Sequence, residues 1–255
     1  MAPQDEGFEL DEPGSEELGT PTAEPMSWRD FWNGEHSIYV SQRHKALHYR
    51  QIASDLIAHI PSPEAVVLDH GCGEALDAAR VAAACGKLYL CEAAPSVRDR
   101  LRAMLAGRAN AVVVSPEEVE ALPEASLDLV VANSLIQYLS RDELAALLAV
   151  WHGTLKPGGR LVIADVIPPD VSPLTDASQL LAFAWRGGFL GAAVAGLVRT
   201  AFSDYRKLRA QYGLSTYRED EIAGLIRQAG FEDVARDRNF GHNPHRMTFV
   251  GRKGS

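Results

Sequence analysis

One short turn carries residue types that could hold the polar end of a ligand. It contains Asp69, Gly71 and Gly73, and it directly follows an apolar run, Val66–Leu68. Glycines spaced by one residue let a backbone approach a ligand closely, and the N–H groups at the start of a following helix attract negative groups. The turn therefore predicts a ligand-binding site where a buried strand ends and a helix begins.

Two nucleotide-binding patterns use such a turn, and they differ in the position of the third glycine. A dinucleotide-binding turn needs a glycine three residues after Gly73, but Leu76 stands there. The alternative pattern, acid-x-Gly-x-Gly-x-Gly, is matched by Asp69, Gly71 and Gly73, with Ala75 at the third glycine. A side chain as small as that of Ala75 keeps the close approach, so the sequence favours the second pattern.

A second carboxylate is placed to bind a sugar. Glu92 directly follows the strand-like stretch Lys87–Cys91. Because the carboxyl ends of parallel strands meet at one edge of a sheet, we expect Glu92 beside the glycine turn. There it can accept hydrogen bonds from both hydroxyls of a ribose. The small side chain of Ala93 leaves room for an adenine face.

Read together with three later segments, the turn resembles motif I of the class I S-adenosylmethionine-dependent methyltransferases. Glu118–Pro123 resembles the acid-Ala-x-x-Leu-Pro segment of that family. Residues 126–133 resemble its fourth strand, and residues 155–161 resemble the LKPGG turn that enters its fifth strand. The segments occur in the family's order over residues 65–166.

The resemblance implies that S-adenosyl-L-methionine is the cofactor, and it assigns the binding residues. These are Asp69, Gly71, Cys72, Gly73, Glu92, Ala93, Glu118, Val119, Asn133 and Tyr39. Two side chains leave alternatives open. Glu118 either lies near the adenine amino group or closes a helix start with Ser115 as N-cap. His70 is either a spectator or a contact of the methionine carboxylate.

The elements that position these residues follow from hydrophobic patterning. Apolar runs of strand length alternate with helical patterns, which predicts βαβ units and a mostly parallel sheet. Strands are expected at 65–69, 87–91, 111–114, 127–132, 160–166, 232–237 and 246–252, and helices at about 75–85, 95–107, 141–154 and 218–229. The predicted fold is α/β: a three-layer Rossmann-like methyltransferase sandwich. Its seven-stranded sheet is mostly parallel, with a C-terminal antiparallel strand and a helical cap insertion.

A helical stretch over residues 28–60 precedes the first strand. Its histidines His44 and His48 are four residues apart, but no carboxylate stands at ligand spacing. No metal site is therefore predicted. The stretch either folds over the cofactor, with Tyr39 or Tyr49 near the sulfonium, where an aromatic face is favourable, or packs on the sheet edge.

A cap insertion is predicted over residues 168–215. Its apolar core is interrupted by Arg186, Arg199 and Gly187-Gly188, and each central Arg costs roughly 2.5–3.5 kcal/mol in a membrane. Two helices, 174–186 and 189–210, are expected instead of a span. A cap containing the aromatic residues Phe183, Trp185, Phe189 and Phe202 suits an apolar or aromatic acceptor. The alternative is a helical pair that packs on the sheet or on a second subunit.

Composition bounds the domain organisation and the partners. The first 25 residues contain eight of the 34 acidic residues and no Lys or Arg, which leaves 26 acidic and 25 basic residues in 26–255. We predict a disordered acidic tail over 1–25 and one class I methyltransferase domain over 26–255. A body without a basic excess predicts no nucleic-acid partner. Three scattered cysteines and no secretory signal predict a cytoplasmic location.

The predicted activity is in-line transfer of a methyl group from S-adenosylmethionine to a small apolar or aromatic acceptor. Candidates for a general base, needed only if the acceptor must lose a proton, are Tyr138, Asp165, His242 and His245. One alternative is a methyltransferase-like protein that binds the cofactor without methyl transfer, and another is a nicotinamide-dependent oxidoreductase. A lipophilic acceptor, peripheral membrane contact through the cap, and a homodimer are the partner hypotheses.

Overall fold

The computed structural model describes residues 39–200 and 213–255. The acidic tail predicted over 1–25 lies outside the described residues. So do the first part of the helical stretch predicted over 28–60 and the end of the helix predicted over 189–210.

The described residues form one seven-stranded sheet. Its strands are β1 Val66–His70, β2 Lys87–Cys91, β3 Ala111–Val114, β4 Leu127–Asn133, β5 Leu155–Val166, β6 Phe231–Asp237 and β7 Met247–Lys253. The order across the sheet is β3-β2-β1-β4-β5-β7-β6. Strand β7 runs antiparallel to β5 and β6, and the pairs among β1–β5 are parallel. Six strands therefore share one direction, and the predicted fold class is confirmed.

Helices cover both faces of this sheet. They are α1 Gln42–Ile57, α2 Ala78–Ala83, α3 Pro95–Met104, α4 Pro116–Glu120, α5 Arg141–Thr154, α6 Pro173–Gly187, α7 Leu190–Thr200 and α8 Glu219–Gln228, with a 3₁₀ turn at Ile136–Tyr138. Their first residues follow the local chemistry. Helix α5 begins after a capping box in which Ser140 and Glu143 each accept a backbone N–H of the other. Helix α6 ends at Gly188, which has a φ of 71°.

Two element boundaries differ from the prediction, for local backbone reasons. Strand β5 begins at Leu155 rather than at 160, because Leu155 already pairs with Leu127 before the register shifts. The LKPGG segment is therefore an irregular first part of the strand. Helix α2 begins at Ala78 rather than at 75, because Ala75 has a φ of 36° and belongs to the turn.

The core consists of two layers, one on each face of the sheet. Alternate residues of β1 serve both layers: Leu68 packs with Trp151 of α5, and Val67 packs with the layer that contains Leu56 of α1. All four of these side chains are essentially inaccessible to solvent. The apolar runs predicted as strands covered on both faces are confirmed in β1 and β4. Within the described ranges, no helix has the length and apolar character needed to cross a membrane.

Candidate functional site

A cavity of about 790 Å³ opens along the carboxyl edge of the sheet. Strand order reverses between β1 and β4, and ligands of open α/β sheets bind at such a point. The turn after β1, the ends of β2, β4 and β5, helix α1 and the loop around His242 all contribute to the wall. Eleven predicted site residues line it: Tyr39, Asp69, Gly71, Cys72, Gly73, Glu92, Ala93, Asn133, Tyr138, Asp165 and His242.

The glycine turn gives the cavity its close backbone wall. Gly71 and Gly73 have φ values of 77° and 58°, a region that side-chain-bearing residues rarely adopt. A Cβ at Gly71 would lie 2.9 Å from the Leu135 side chain, and one at Gly73 would lie 3.1 Å from the Tyr49 hydroxyl. Both positions therefore require glycine for conformation as well as for space.

The first N–H groups of the turn already have protein partners. Those of Gly71 and Cys72 donate to the Cys91 carbonyl, at 2.8 and 3.0 Å. The N–H of Gly73 donates to Glu92 at 3.0 Å, and that of Glu74 donates to the Tyr49 hydroxyl at 3.1 Å. The turn therefore contributes shape, whereas the charge that a ligand meets comes from the neighbouring carboxylates.

Glu92 is held in one orientation at the end of β2. Its side chain accepts the N–H of Gly73 on Oε2 and the N–H of Ala94, at 2.8 Å, on Oε1. Each carboxylate oxygen accepts two hydrogen bonds, so one position on each oxygen stays open toward a ligand. Two fixed acceptors side by side fit the two hydroxyls of a ribose.

Asp69 lies beside Glu92 and lines the same cavity. Burial, followed by the charge of Glu92, raises the pKa of Asp69 to about 7. Its carboxylate has no hydrogen bond to any residue in the described part of the chain. Neither carboxylate forms an ion pair with a Lys or Arg side chain of the described residues, and such a pair fits a ligand that brings positive charge, as an ammonium or a sulfonium does.

Helix α1 and the residues just before it close one side of the cavity with aromatic rings. The rings of Tyr39 and Tyr49 lie 5.7 Å apart, and both residues line the wall. Burial raises the pKa of both phenols, so they stay neutral. An ion pair between Lys45 and Glu74 joins the helix to the glycine turn.

Three histidines and two phenylalanines join α1, the cap helices and the last loop. His44 stacks on Phe189 with centroids 5.1 Å apart, and His242 stacks on Phe183 at 4.5 Å. Burial lowers the pKa of His44 to about 4 and that of His48 to about 3, and it also lowers the pKa of His242. No group of three potential metal ligands occurs in residues 39–200 and 213–255.

A polar wall stands at the ends of β4 and β5. Ser134 donates to Asp165 at 2.7 Å, and both residues are in the left-handed region, with φ values of 53° and 59°. Such backbone costs energy and is concentrated at functional sites. Burial raises the pKa of Asp165, and the nearby Arg246 guanidinium offsets part of that rise.

Three predicted site residues do not reach the cavity wall. Glu118 accepts the N–H of Ser115 at 2.7 Å, and Ser115 accepts that of Glu118, so this carboxylate closes the start of α4, as the alternative interpretation had it. Val119 is fully buried in the core below. His245 is exposed and turns away from the cavity beside Asn243, whose side chain accepts its N–H.

Of the predicted cap, Leu214 lines the cavity, whereas the described residues of α6 and α7 do not. Phe183 and Phe189 pack behind the imidazoles of His44 and His242, and Trp185 is 74% exposed. Phe202 lies outside the described residues. The described part of α6 and α7 supports the wall from behind instead of forming it.

Several residues of the wall were not predicted as site residues. They include His44, His48, His70, Glu120, Gln137 and Arg246. Buried side-chain atoms without a described partner occur in Asn133, Gln137 and Arg246. A residue after a strand end can be found from spacing, but nothing in the sequence brings Arg246 next to Asp165.

The part of the chain that carries this site is similar to known methyltransferases. A family model described as a methyltransferase domain matches residues 67–159, which contain the glycine turn, Glu92 and the LKPGG segment. A search of curated proteins gave no match.

Solved structures of several methyltransferases resemble the chain. One is Burkholderia thailandensis 1,6-didemethyltoxoflavin-N1-methyltransferase with bound 1,6-didemethyltoxoflavin and S-adenosylhomocysteine (23% identity, 82% of this chain, 79% of that chain, TM-score 0.51). Another is magnesium protoporphyrin IX methyltransferase from Synechocystis PCC 6803 with bound S-adenosylmethionine (13%, 89% and 89%, 0.54).

A third is Haemonchus contortus phosphoethanolamine N-methyltransferase 2 with S-adenosylhomocysteine and phosphomonomethylethanolamine (14% identity, 81% of this chain, 53% of that chain, TM-score 0.55). At these identities the likeness concerns the fold. S-adenosyl-L-methionine is the cofactor of the family, as predicted. Residues 67–159 match the methyltransferase domain family, and the chain has the fold of the class I S-adenosylmethionine-dependent methyltransferases.

Proposed function

We propose that this chain is an S-adenosylmethionine-dependent methyltransferase that acts on a small apolar or aromatic acceptor. The observation that carries the proposal is one continuous cavity with two chemically different walls. The Asp69–Glu92 pair forms an acidic wall that has no ion pair within residues 39–200 and 213–255, and the Ser134–Asp165 pair lies across the strand reversal from it. One wall suits the cationic nucleoside, and the other suits the acceptor.

The residues of the chain have separate tasks in this proposal. When bound, S-adenosylmethionine supplies a methyl group that is already activated on a sulfonium. Glu92 holds the sugar, and Asp69 balances the positive charge. Tyr39 and Tyr49 present neutral aromatic faces to that charge and keep water out, since both phenols are buried. Alignment and water exclusion supply most of the catalysis of such a displacement.

We propose that Asp165 is the general base that takes the proton from the acceptor. Its carboxylate lines the cavity, its raised pKa suits a base, and Ser134 occupies only Oδ2. Tyr138 and His242 also line the cavity, but the phenol of a tyrosine is a weak base, and burial lowers the pKa of His242. His245 has no place in this assignment.

The apolar residues of the cavity wall indicate the chemical class of the acceptor. Beyond the ends of β4 and β5 this wall contains the apolar residues Leu135, Leu139, Ile167 and Leu214. The three similar enzymes are named for chemically different acceptors, so they do not narrow the choice. An aromatic compound with a hydroxyl or amino group would meet both the apolar side chains and Asp165.

The test is methyl transfer from tritiated S-adenosylmethionine to a panel of hydroxy- and amino-substituted aromatic compounds. Label in an acceptor, lost in Asp165→Asn while S-adenosylhomocysteine still binds, supports the proposal. Binding without label in any acceptor would favour a cofactor-binding protein that transfers nothing. Heat on titration with NADH, and none with S-adenosylhomocysteine, would favour the oxidoreductase.

We further propose that the outer surface of the cap helices contacts a lipid surface, from which a lipophilic acceptor would be drawn. Leu174, Trp185, Val194 and Val198 are between 52% and 81% exposed there. Co-sedimentation with phospholipid vesicles tests this, and loss of sedimentation in Trp185→Ser would support it. A homodimer through the same surface is the outcome if analytical ultracentrifugation shows dimers without lipid.

The remaining assignments are a single domain over 26–255, no nucleic-acid partner and a cytoplasmic location. The location is supported by Cys72, Cys85 and Cys91, which are buried and unpaired thiols. Burial raises the pKa of all three, so they are unreactive as well as reduced.

A further inference from the structure

His70 ends β1 inside the glycine turn and contacts a tryptophan from another element. The Nε1–H of Trp151 in α5 donates to Nδ1 of His70 at 3.0 Å, and the two rings meet edge to face. An indole nitrogen is only a donor, so Nδ1 of His70 must be the acceptor. In the neutral imidazole the proton therefore lies on Nε2.

This imidazole stays neutral over the physiological range, because burial lowers the pKa of His70 to about 4. The Nε2–H is thus a permanent hydrogen-bond donor without charge. The side chain is 4% exposed, so almost all of its surface is covered by protein.

The Nε2–H donor has no hydrogen-bond partner in the part of the chain that the structure describes. It is not sealed in the core, since the buried polar atoms without a described partner belong to other residues. His70 lines the cavity, so we take the cavity to be the space that this atom faces. A donor that faces a cavity in this way is suited to an acceptor atom of a ligand.

The surroundings of His70 identify the part of the ligand that would meet it. His70 pairs with Cys91, the residue before Glu92, so the donor lies one strand from the fixed carboxylate. Besides the carboxylate-bearing Glu120 and Glu143, the wall that α4 and α5 contribute contains the apolar residues Pro116, Ala146, Leu147 and Val150. These apolar side chains fit a planar base better than an amino-acid group.

We propose that His70 is a cofactor-binding residue, whose Nε2–H donates to an oxygen or nitrogen acceptor of the nucleoside half of the cofactor, and that Trp151 is a positioning residue that fixes the required tautomer. The inference rests on the proposed function, because it requires that the cavity binds this nucleoside. It adds a side chain to a turn that otherwise contributes backbone shape.

The test is calorimetric titration with two ligands, S-adenosylhomocysteine and 5′-methylthioadenosine, which lacks the amino-acid end. His70→Phe should weaken both by roughly 5- to 10-fold, as expected for one lost hydrogen bond. His70→Gln, whose amide can place an N–H near the position of Nε2, should restore most of the affinity. His152→Phe is the matched control, because His152 packs on Phe231 outside the cavity and should leave both affinities unchanged.

His70→Phe leaves the buried indole N–H of Trp151 unpaired, so a double variant, His70→Phe with Trp151→Phe, keeps the test valid if the single variant unfolds. Trp151→Phe alone should lower affinity about 2- to 3-fold, the lower end for one neutral hydrogen bond. It should also mix the two His70 tautomers in ¹⁵N NMR spectra, whereas the wild type should show the Nε2–H form only.

Three results would overturn the inference. Unchanged affinity for both ligands in His70→Phe, or in the double variant, means that Nε2–H contacts no ligand. Weakened S-adenosylhomocysteine binding with unchanged 5′-methylthioadenosine binding assigns the contact to the amino-acid end instead. A wild-type chain that binds neither ligand removes the proposed function itself, an outcome that the wild-type titration alone identifies.

Discussion

Asp69 and Glu92 combine two carboxylates at adjacent strand ends, which is costly without a ligand. Burial and, after it, the negative charge of Glu92 oppose the ionisation of Asp69, and the pKa of Asp69 rises to about 7 as a result. Glu92 has two backbone N–H donors, whereas the Asp69 carboxylate has no described donor. The site is therefore built for a cation at the expense of the stability of the empty protein.

Asp69→Asn should raise stability and lower affinity. The pKa of Asp69 is higher in the folded than in the unfolded protein, so its ionisation lowers the stability of the fold. This loss of stability is absent near pH 4, grows until about pH 7 and is constant above that pH. The stability advantage of the variant over the wild type, measured by urea unfolding, should therefore be larger at pH 8 than at pH 5. S-adenosylmethionine should bind wild type more tightly at pH 8 than at pH 6, and this difference should vanish in the variant. A stability difference that is the same at both pH values would contradict the argument.

Glu92→Gln should weaken binding of S-adenosylhomocysteine by about 1.5–3 kcal/mol, the range for hydrogen bonds to a charged group. The amide keeps one acceptor, and its NH₂ group must face either the N–H of Gly73 or that of Ala94. Calorimetry measures the change, and Glu124→Gln is the control, because Glu124 is exposed and away from the cavity. Equal affinities would mean that the sugar binds elsewhere.

The strand-end carboxylates were predictable from spacing, since Asp69 and Glu92 each follow an apolar run in a parallel sheet. The role of Glu118 was not, because a capping box and an adenine contact use the same residue type at the same place, and the cap prevails. The contact of His70 with Trp151 joins residues 81 positions apart. No local pattern encodes such a pair.

At the scale of elements, the carboxylate of Asp176 joins the cap helix α6 to the loop between β6 and β7. Asp176 of α6 accepts from Arg246 at 2.7 Å and from Asn243 at 2.9 Å. The Arg246 side chain is only 10% exposed. This link holds α6 against the loop that carries His242 and thereby keeps the stacked rings of His242 and Phe183 in place.

Asp176→Asn should loosen the cap without disturbing the cofactor wall. Removing one partner of a largely buried ion pair destabilises by a few kcal/mol, and the 24% exposure of Asp176 reduces this to about 1–3 kcal/mol. Limited proteolysis should cut α6 and α7 faster, while the affinity for S-adenosylhomocysteine stays within about 2-fold, since no contact of Asp69 or Glu92 changes.

The control for this prediction is Asp220→Asn, because the Arg218–Asp220 pair is more than 70% exposed and solvent screens such a pair, so that its loss should leave stability unchanged. Protection of the cap that is equal in Asp176→Asn and in wild type would show that the stacked rings suffice without the ion pair.

The sequence predicts helices and strands well where the hydrophobic pattern is strong. It predicts them poorly where the backbone conformation of glycine and proline residues determines where an element begins. Apolar runs located β1 to β5, and Gly188 was recognised as a break between two cap helices. The residues of β5 before 160 were read as a turn because glycine and proline dominate there, yet Leu155 pairs in the sheet. The position of α6 and α7 depends on stacking with His44 and His242, residues far away in the sequence, so their place behind the cavity wall was not predictable.

At the scale of the whole molecule, the buried histidines determine how stability responds to acid. Burial lowers the pKa of His44 and His70 to about 4 and that of His48 to about 3. In the unfolded chain these groups have a pKa near 6.5, so unfolding takes up nearly three protons from them at about pH 5. His59 and His242, whose pKa values burial also lowers, add to this uptake. The raised pKa values of Asp69 and Asp165 oppose this with at most two protons released.

The balance predicts a fold that is stabilised as pH rises from about 4.5 to 5.5, the range in which the histidines of the unfolded chain are protonated. Net uptake of at least one proton on unfolding corresponds to a slope of at least about 1.4 kcal/mol per pH unit. His48→Phe keeps an aromatic ring between Tyr39 and Tyr49 and removes one titrating group, so its slope should be smaller by about the same amount. Urea unfolding at several pH values measures both slopes. Above pH 7 both forms of position 48 are uncharged, so the two curves should run parallel there and diverge only on acidification. Curves that stay parallel down to pH 4.5 would mean that His48 is protonated in the folded protein as readily as in the unfolded chain, and that the aromatic wall of α1 admits water.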